Sequence, residues 1–216
     1  MSKQFWAVIA IIVLAFVGVI ALNGNKNTAT TNTQSNQVTN HVIGLGKSGV
    51  TLVEYGDYQC SACERYYSVT KQIQQEYNDQ VTFQFSNFPL TSVHVNAFSA
   101  ARAAEAAGLQ NKFWEMHDAL YAAGNWSVWT VSSNPTPIYE LYASQIGLNI
   151  AQFKTDFASS KVNDLINADT TAGTKLGVAG TPTYYLDGKQ VSIDPTMTAF
   201  EKVINAEIAK KVAPKQ

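Results

Sequence analysis

The sequence predicts an α/β domain in which a β-α-β unit and a β-β-α unit are separated by a helical block. Three observations support this fold class. Two short β-rich runs flank a stretch with helical spacing, at residues 49–85. The following block, about residues 92–177, has mainly helical signals punctuated by glycine and proline. An Asp-Gly dipeptide then joins two more β-rich runs, ahead of a final amphipathic stretch.

The first unit begins with the run Val50-Thr51-Leu52-Val53, which reads as a buried strand. Residues 56–59 turn the chain, and apolar side chains then recur at helical spacing as far as Asn78. A second strand is predicted at residues 81–85, where polar and apolar residues alternate.

The helical block contains an alanine-rich segment and an amphipathic segment. Residues 97–107 are rich in alanine, which suits close helix packing. One apolar face is formed by Phe113, Met116, His117 and Leu120. After it, Asp187-Gly188 predicts a hairpin, and Asp194 or Thr196 is expected to begin a last helix. This order of elements is that of a thioredoxin fold split by a helical insertion at about residues 92–177.

The amino terminus carries an uninterrupted apolar run at residues 5–22. As a helix these residues span roughly 27 Å, near the thickness of a bilayer core. Lys3 is the only charge before the run, which favours a cytoplasmic amino terminus. We therefore expect residues 1–22 to be a single-pass anchor in the lipid bilayer, with the remaining chain on the extracytoplasmic side of the cell membrane. A cleaved signal peptide, and hence a secreted protein, is the alternative.

Residues 23–40 are small, polar and aperiodic, as in a flexible linker. The folded domain is then expected to cover residues 41–216. The chain is 46% hydrophobic and can build a core. Its net charge of -1 does not indicate the excess of basic residues that is typical of proteins that bind nucleic acid. We expect a monomer that binds no nucleic acid.

The chain has 2 cysteines, in the motif Cys60-Ser61-Ala62-Cys63. A secreted domain held by structural disulfides would carry several cysteines at longer spacings. A thiol at a helix amino terminus faces unpaired N–H groups and the positive end of the helix dipole, and both favour the reactive thiolate. We therefore expect Cys60 to exchange with substrate and Cys63 to resolve the mixed disulfide.

Two other interpretations of the cysteines stay open. A CxxC motif can supply half of a zinc site, but a closed site needs about two more ligands, and His41, His94 and His117 are isolated in the sequence. Alternatively, the two cysteines are buried and inert. We expect no metal site and no cofactor, since a Cys60–Cys63 disulfide would itself be the redox group.

Together these residues resemble the DsbA-like branch of the thioredoxin superfamily, particularly membrane-anchored members from bacteria with one membrane. The resemblance covers roughly residues 45–209. It rests on the segments VEYGDYQCSAC (53–63), FPL (88–90), KFWEMHDAL (112–120) and GTPT (180–183). Each segment alone is common, but their order and spacing are specific.

The resemblance implies that Thr181-Pro182 is a cis peptide facing the cysteines. Thr181 would then present its backbone beside Cys60, where an extended substrate strand could pair with it. An ordinary trans turn before the hairpin is the alternative.

The resemblance also implies a proton acceptor for Cys63. Glu54 stands where related proteins often carry a buried acid, which would take the proton of the resolving thiol. A solvated glutamate at the strand end is the alternative. Asp57 competes for the role, although a turn aspartate is usually exposed.

Four aromatic or imidazole side chains are further candidates. His94 matches a histidine that often opens the first inserted helix in related proteins, where it would cap the helix, pack or contact substrate. We expect a structural role for His117. Trp126 and Trp129 are expected in the core, with an exposed substrate platform as the alternative.

The implied function is that of an extracytoplasmic thiol–disulfide oxidoreductase introducing disulfides into exported, unfolded or partly folded proteins that carry thiols. A membrane quinone-linked thiol oxidase would reoxidise it. The dipeptide Ser61-Ala62 departs from the Pro-His of the best-known oxidases, which leaves a disulfide reductase or isomerase as the alternative. A tethered binding protein, or holdase, for unfolded chains is a second alternative.

Overall fold

The computed structural model describes residues 38–213. The expected anchor, at residues 1–22, and nearly all of the expected linker lie outside the described residues. Within residues 38–213, no helix is both long enough and apolar enough to cross a bilayer. The division of the chain into anchor, linker and domain stays a prediction.

A mixed sheet forms the centre of the described chain. Its strands are β1 (His41–Ile43), β2 (Val50–Gly56), β3 (Val81–Asn87), β4 (Thr183–Leu186) and β5 (Lys189–Val191). Their spatial order is β1-β3-β2-β4-β5. β2 runs parallel to β3 and antiparallel to β4, so that Glu54 of β2 is paired with Phe85 on one side and Tyr184 on the other.

The helices connect these strands as the sequence predicts. α1 (Ser61–Glu76) joins β2 to β3. The inserted helices are α2 (Ala97–Gly108), α3 (Phe113–Tyr121), α4 (Ala123–Trp129), α5 (Thr136–Gln145), α6 (Ile150–Phe157) and α7 (Ser160–Leu176). The last helix, α8 (Met197–Val212), is capped by the Thr196 side chain, which accepts a hydrogen bond from the Ala199 N–H. The predicted thioredoxin-type order of strands and inserted helices is confirmed.

Strand β1 was not predicted. It has only 3 residues, His41–Ile43, and pairs antiparallel with β3 at the edge of the sheet. A run this short has no periodicity to detect. Its position follows from long-range contacts of the segment just before it.

The described chain enters the domain at Thr39, which is fixed by a buried carboxylate. Asp169 of α7 accepts hydrogen bonds from the Thr39 N–H at 2.7 Å and the Thr39 hydroxyl at 2.6 Å. Its second oxygen also accepts the Asn87 N–H of β3 at 2.9 Å. Burial raises the pKa of Asp169, and the bonds from Thr39 and Asn87 oppose that rise. The entering chain is thus tied to both α7 and β3.

The buried apolar residues form one cluster around the inserted helices and another between the sheet, α1 and α8. Cys60 and Cys63 belong to the first cluster, together with Tyr58 and Phe85. α7 covers the opposite face of the sheet, where Tyr55 and Phe88 pack. The cysteines therefore lie where the sheet meets the inserted helices.

Gly173 of α7 tests how closely that helix approaches the sheet. A Cβ added there would lie 2.9 Å from ring atoms of Tyr55 and Phe88. Alanine usually gains about 1 kcal/mol over glycine inside a helix, but overpacking a core costs about 1–3 kcal/mol. We expect Gly173→Ala to lower the free energy of unfolding by about 1 kcal/mol net, measured by urea denaturation.

Gly124→Ala in α4 is the matched control, because an added Cβ there meets nothing within 4 Å. We expect this variant to be as stable as the parent or more stable. A Gly173→Ala protein that is stabilised to the same degree would show that α7 does not press on the sheet at this position.

Candidate active site

The two cysteines lie at the amino end of α1. Cys60 is the N-cap residue, in an extended conformation, and no side chain caps the helix. Cys63 lies one turn into the helix and is 1% exposed, whereas Cys60 is 8% exposed. Both are free thiols. Within residues 38–213, no group of three or more His, Cys, Asp or Glu side chains is arranged to hold a metal ion.

The Cys60 sulfur is surrounded by hydrogen-bond donors. The pKa of this thiol is lowered to about 5, and the hydrogen bond from the Cys63 thiol is the largest cause. Burial opposes the change, while the backbone at Cys63 and Ala62 contributes further hydrogen bonds. In the dithiol form Cys60 is therefore a thiolate at neutral pH.

Cys63 has the opposite character. Burial raises its pKa well above the usual range, and the hydrogen bond to Cys60 and the nearby Glu54 add to the rise. The pair thus consists of a thiolate at the helix end and a protonated thiol inside the core. This division matches the order of attack expected from the sequence.

Glu54 lies in β2 beneath the cysteine pair. Burial raises its pKa to about 8; the nearby Tyr184 hydroxyl opposes the rise, and the Cys60 charge adds to it. The side chain lines a small internal cavity together with Thr70, Phe85 and Tyr184. At neutral pH Glu54 is therefore mostly protonated, with its proton inside the domain.

Thr181 and Pro182 lie across from the helix end. Their peptide bond is cis, and the Thr181 carbonyl oxygen lies 3.3 Å from the Cys60 sulfur. Pro182 borders a surface cleft that it shares with Tyr66 and with residues of β4 and β5. The predicted site residues Cys60, Cys63, Glu54, Thr181 and Pro182 are thus gathered into one region.

The turn before the first cysteine is tied to the inserted helices by contacts that the sequence did not indicate. Gln59 donates from its side-chain amide to the Thr130 carbonyl at 2.8 Å, and its amide oxygen accepts the Asn96 N–H at 2.6 Å. The indole N–H of Trp126 donates to the Tyr58 carbonyl at 2.8 Å. The helical insertion therefore holds this turn directly. Such long-range bonds to the backbone leave no periodic signal in the sequence.

The other side chains considered from the sequence differ in how deeply they are buried. Trp129 is fully buried, and Trp126 is partly buried with its indole N–H bonded, so neither forms an exposed platform. His117 lies within a cluster of aromatic rings, and burial lowers its pKa. The expectation that Asp57 is exposed is wrong, since its residue is 1% exposed.

The largest cause of the lowered Cys60 pKa can be tested by titration. Cys63→Ala removes the donor thiol, so we expect the thiolate midpoint of Cys60 to move from about 5 to higher pH. Cys63→Ser keeps a hydroxyl donor and should titrate close to the parent. The measurement is the ultraviolet thiolate absorbance of the reduced proteins as a function of pH. Equal midpoints in the alanine and serine variants would contradict this cause.

Comparisons with known proteins agree with this arrangement. A family model described as Thioredoxin matches residues 36–206. The Na(+)/H(+) antiporter NhaA 1 of Mycolicibacterium gilvum is 35% identical over 152 residues, which are 69% of this chain and 24% of that protein. The chain therefore spans about a quarter of the length of such curated relatives.

Two further proteins match over most of their length. The probable disulfide bond formation protein D of Bacillus anthracis is 27% identical over 211 residues, covering 94% of each chain. The structure of oxidised BdbD from Bacillus subtilis superposes with a TM-score of 0.67 at 20% identity, over 79% of this chain and 93% of that chain, which is a likeness of fold. The matched family model spans residues 36–206, which include all five described strands and the CxxC motif, so the chain belongs to the thioredoxin family.

Proposed function

We propose that this chain introduces disulfides into exported proteins by dithiol–disulfide exchange at Cys60 and Cys63. One observation carries the proposal: a thiol with a lowered pKa stands at the helix end, and a thiol with a raised pKa stands behind it. This asymmetry suits a pair in which one sulfur meets substrate and the other completes the reaction.

The exchange begins from the Cys60–Cys63 disulfide. A substrate thiolate attacks the Cys60 sulfur, which is the more exposed of the two. A substrate–Cys60 disulfide forms, the Cys60–Cys63 bond breaks, and Cys63 leaves with the electron pair. A second substrate thiolate then attacks the substrate sulfur. The substrate disulfide forms, and Cys60 leaves as a stabilised thiolate.

Glu54 provides the proton that the buried leaving sulfur needs. A bare Cys63 thiolate is costly inside the core, as its raised pKa indicates. Glu54 is protonated up to pH about 8 and interacts with Cys63 through charge. Proton transfer from Glu54 to Cys63 therefore neutralises the leaving thiolate.

Thr181 and Pro182 provide the contact with substrate. In the disulfide form Cys60 has no S–H, so the Thr181 carbonyl beside it is free to accept a substrate N–H. An extended substrate segment bonded in this way would present its cysteine to Cys60. Main-chain recognition of this kind is tolerant of sequence, which suits an enzyme with many unfolded substrates.

The stabilised thiolate supports oxidation as the direction of the reaction. Hydrogen bonds that favour the Cys60 thiolate stabilise the reduced form, and a stabilised reduced form makes the disulfide a stronger oxidant. This argument supports oxidation over reduction despite the Ser61-Ala62 dipeptide. Turnover then requires a reoxidant, for which a membrane quinone-linked thiol oxidase is the proposed class.

The proposed location is the extracytoplasmic face of the cell membrane. Its support is the apolar run at residues 5–22 behind Lys3. Protease added to intact, wall-stripped cells should digest the domain while the anchor stays with the membrane. Full protection of the domain would contradict this location.

Disulfide transfer is the direct test of the function. The oxidised protein is mixed with a reduced, unfolded polypeptide that has two thiols, and loss of substrate thiols is followed. We expect one disulfide to be transferred per protein molecule, and no transfer by Cys60→Ser. Cys63→Ser should accumulate a mixed disulfide through Cys60, because its second sulfur is missing.

Two results would redirect the proposal. A reduction potential near that of thioredoxin, about −270 mV, would favour a reductase. Full activity of Cys60→Ser in cells would favour a binding protein without redox chemistry.

The role of Glu54 predicts a pH dependence. The acid is available below pH about 8 and is lost above it. With a small thiol that is already fully ionised as substrate, the parent's rate of disulfide cleavage should fall above pH 8. Glu54→Gln should be slower by about tenfold or more below that pH and should lack the fall. Glu76→Gln, exposed at the far end of α1, is the control.

Stability provides a check that Glu54→Gln is folded. The folded protein holds the Glu54 proton more tightly than the unfolded chain does, so the stabilising contribution is complete below pH 4.5 and is lost as pH rises towards about 8. The glutamine variant should therefore lose less stability than the parent over this range. A folded Glu54→Gln protein with the parent's rate and pH profile would rule out the proton-transfer role.

A further inference from the structure

The turn before Cys60 is organised around one buried carboxylate, that of Asp57, whose side chain is 0% exposed. One oxygen accepts the Gln59 N–H at 2.7 Å. The other accepts the Leu90 N–H at 2.8 Å and lies 2.8 Å from Nδ1 of His94. The carboxylate thus joins the redox turn to the loop that follows β3.

The backbone of Asp57 reaches both cysteines. Its carbonyl accepts the Cys60 N–H at 3.1 Å. The Asp57 backbone also forms a hydrogen bond with the Cys63 thiol, which opposes the rise in the pKa of that thiol. A displacement of Asp57 would therefore move the start of α1 together with both sulfurs.

His94 is the donor on which this arrangement can be tested. Of the three hydrogen-bond contacts described for the Asp57 carboxylate, the one from His94 is the only one made by a side chain. His94 is partly exposed, with 24% of its side chain accessible. A buried carboxylate that loses a donor keeps its desolvation cost with fewer compensating bonds, so it is expected to shift towards other partners or water.

We propose that Asp57 and His94 are positioning residues for exchange at Cys60: His94 holds the Asp57 carboxylate, and Asp57 holds the turn that places Cys60 at the amino end of α1. This inference rests on the proposed exchange reaction. Both side chains act through the backbone of the turn.

The consequence is measurable at the Cys60 sulfur. The thiolate there depends on donors from Cys63 and from the backbone of the first turn of α1, and hydrogen bonds weaken steeply as their geometry degrades. A looser turn therefore raises the pKa of Cys60. Well below the midpoint, each tenfold loss of thiolate lowers the attack rate about tenfold.

The experiment compares His94→Ala, His94→Asn and Thr91→Ala in the full chain. The probes are the ultraviolet thiolate titration of the reduced protein and its rate of attack on a small aromatic disulfide near pH 4. We expect the alanine variant to titrate at higher pH and to react about tenfold more slowly. Asparagine can place its amide N–H near the position of Nδ1 and should restore most of both values. Thr91 is exposed in the same loop, and its variant should behave as the parent.

Two outcomes would overturn the inference. One is a folded His94→Ala protein with the parent's titration and rate. The other is an asparagine variant as impaired as the alanine variant, because then the hydrogen bond to Asp57 is not what positions the turn. Substitution of the fully buried Asp57, as in Asp57→Asn, would disturb the turn more strongly than substitution of His94. His94 is therefore the residue chosen for the test, because its side chain is only partly buried.

The outcome is independent of the proposed direction of catalysis. The titration needs no substrate, so it reads the position of Cys60 whether the protein oxidises or reduces its partners. Retained disulfide transfer by Cys60→Ser would defeat the proposed function and with it the role in exchange, whereas an unchanged titration in His94→Ala would defeat this inference alone.

Discussion

The hydrogen bonds that converge on the Cys60 sulfur are the interaction on which the rest of the site depends. They come from the Cys63 thiol and from the backbone of the first turn of α1. Thr181 is distant in sequence and lies beside the helix end because β4 pairs with β2. The start of α1 therefore supplies the donors of the thiolate, and the register of the sheet places the Thr181 carbonyl oxygen beside the same sulfur.

Burial raises the pKa of all three ionisable groups of the site, but the net shifts differ. It opposes the lowered pKa of Cys60, where converging donors prevail, and it dominates at Cys63 and Glu54, where they do not. At neutral pH the reduced site therefore carries a negative charge on Cys60 at the helix end, while Cys63 and Glu54 in the interior keep their protons. An enzyme built this way separates the exchange of sulfur at its surface from the movement of a proton in its interior.

The fold could be predicted from the sequence because its elements have local signals: alternation in β3, a helical face in α3 and an Asp-Gly turn between β4 and β5. The CxxC motif at a strand–helix junction located the site for the same reason. The contacts of Gln59 and the burial of Asp57 could not be predicted, since they join backbone groups far apart in sequence. Strand β1 was missed because its pairing comes from β3 rather than from its own 3 residues.

The buried bonds between Thr39 and Asp169 have a mechanical consequence. Tension applied at the amino end of the described chain is transmitted to α7 and to Asn87 at the end of β3 through Asp169, and to the edge strand β1 along the chain. β2, which leads into the cysteines, lies inside the sheet with a partner on each side. In a domain held by its amino-terminal end, the load would thus reach α7, β1 and the end of β3 before it reached the strand that leads into Cys60.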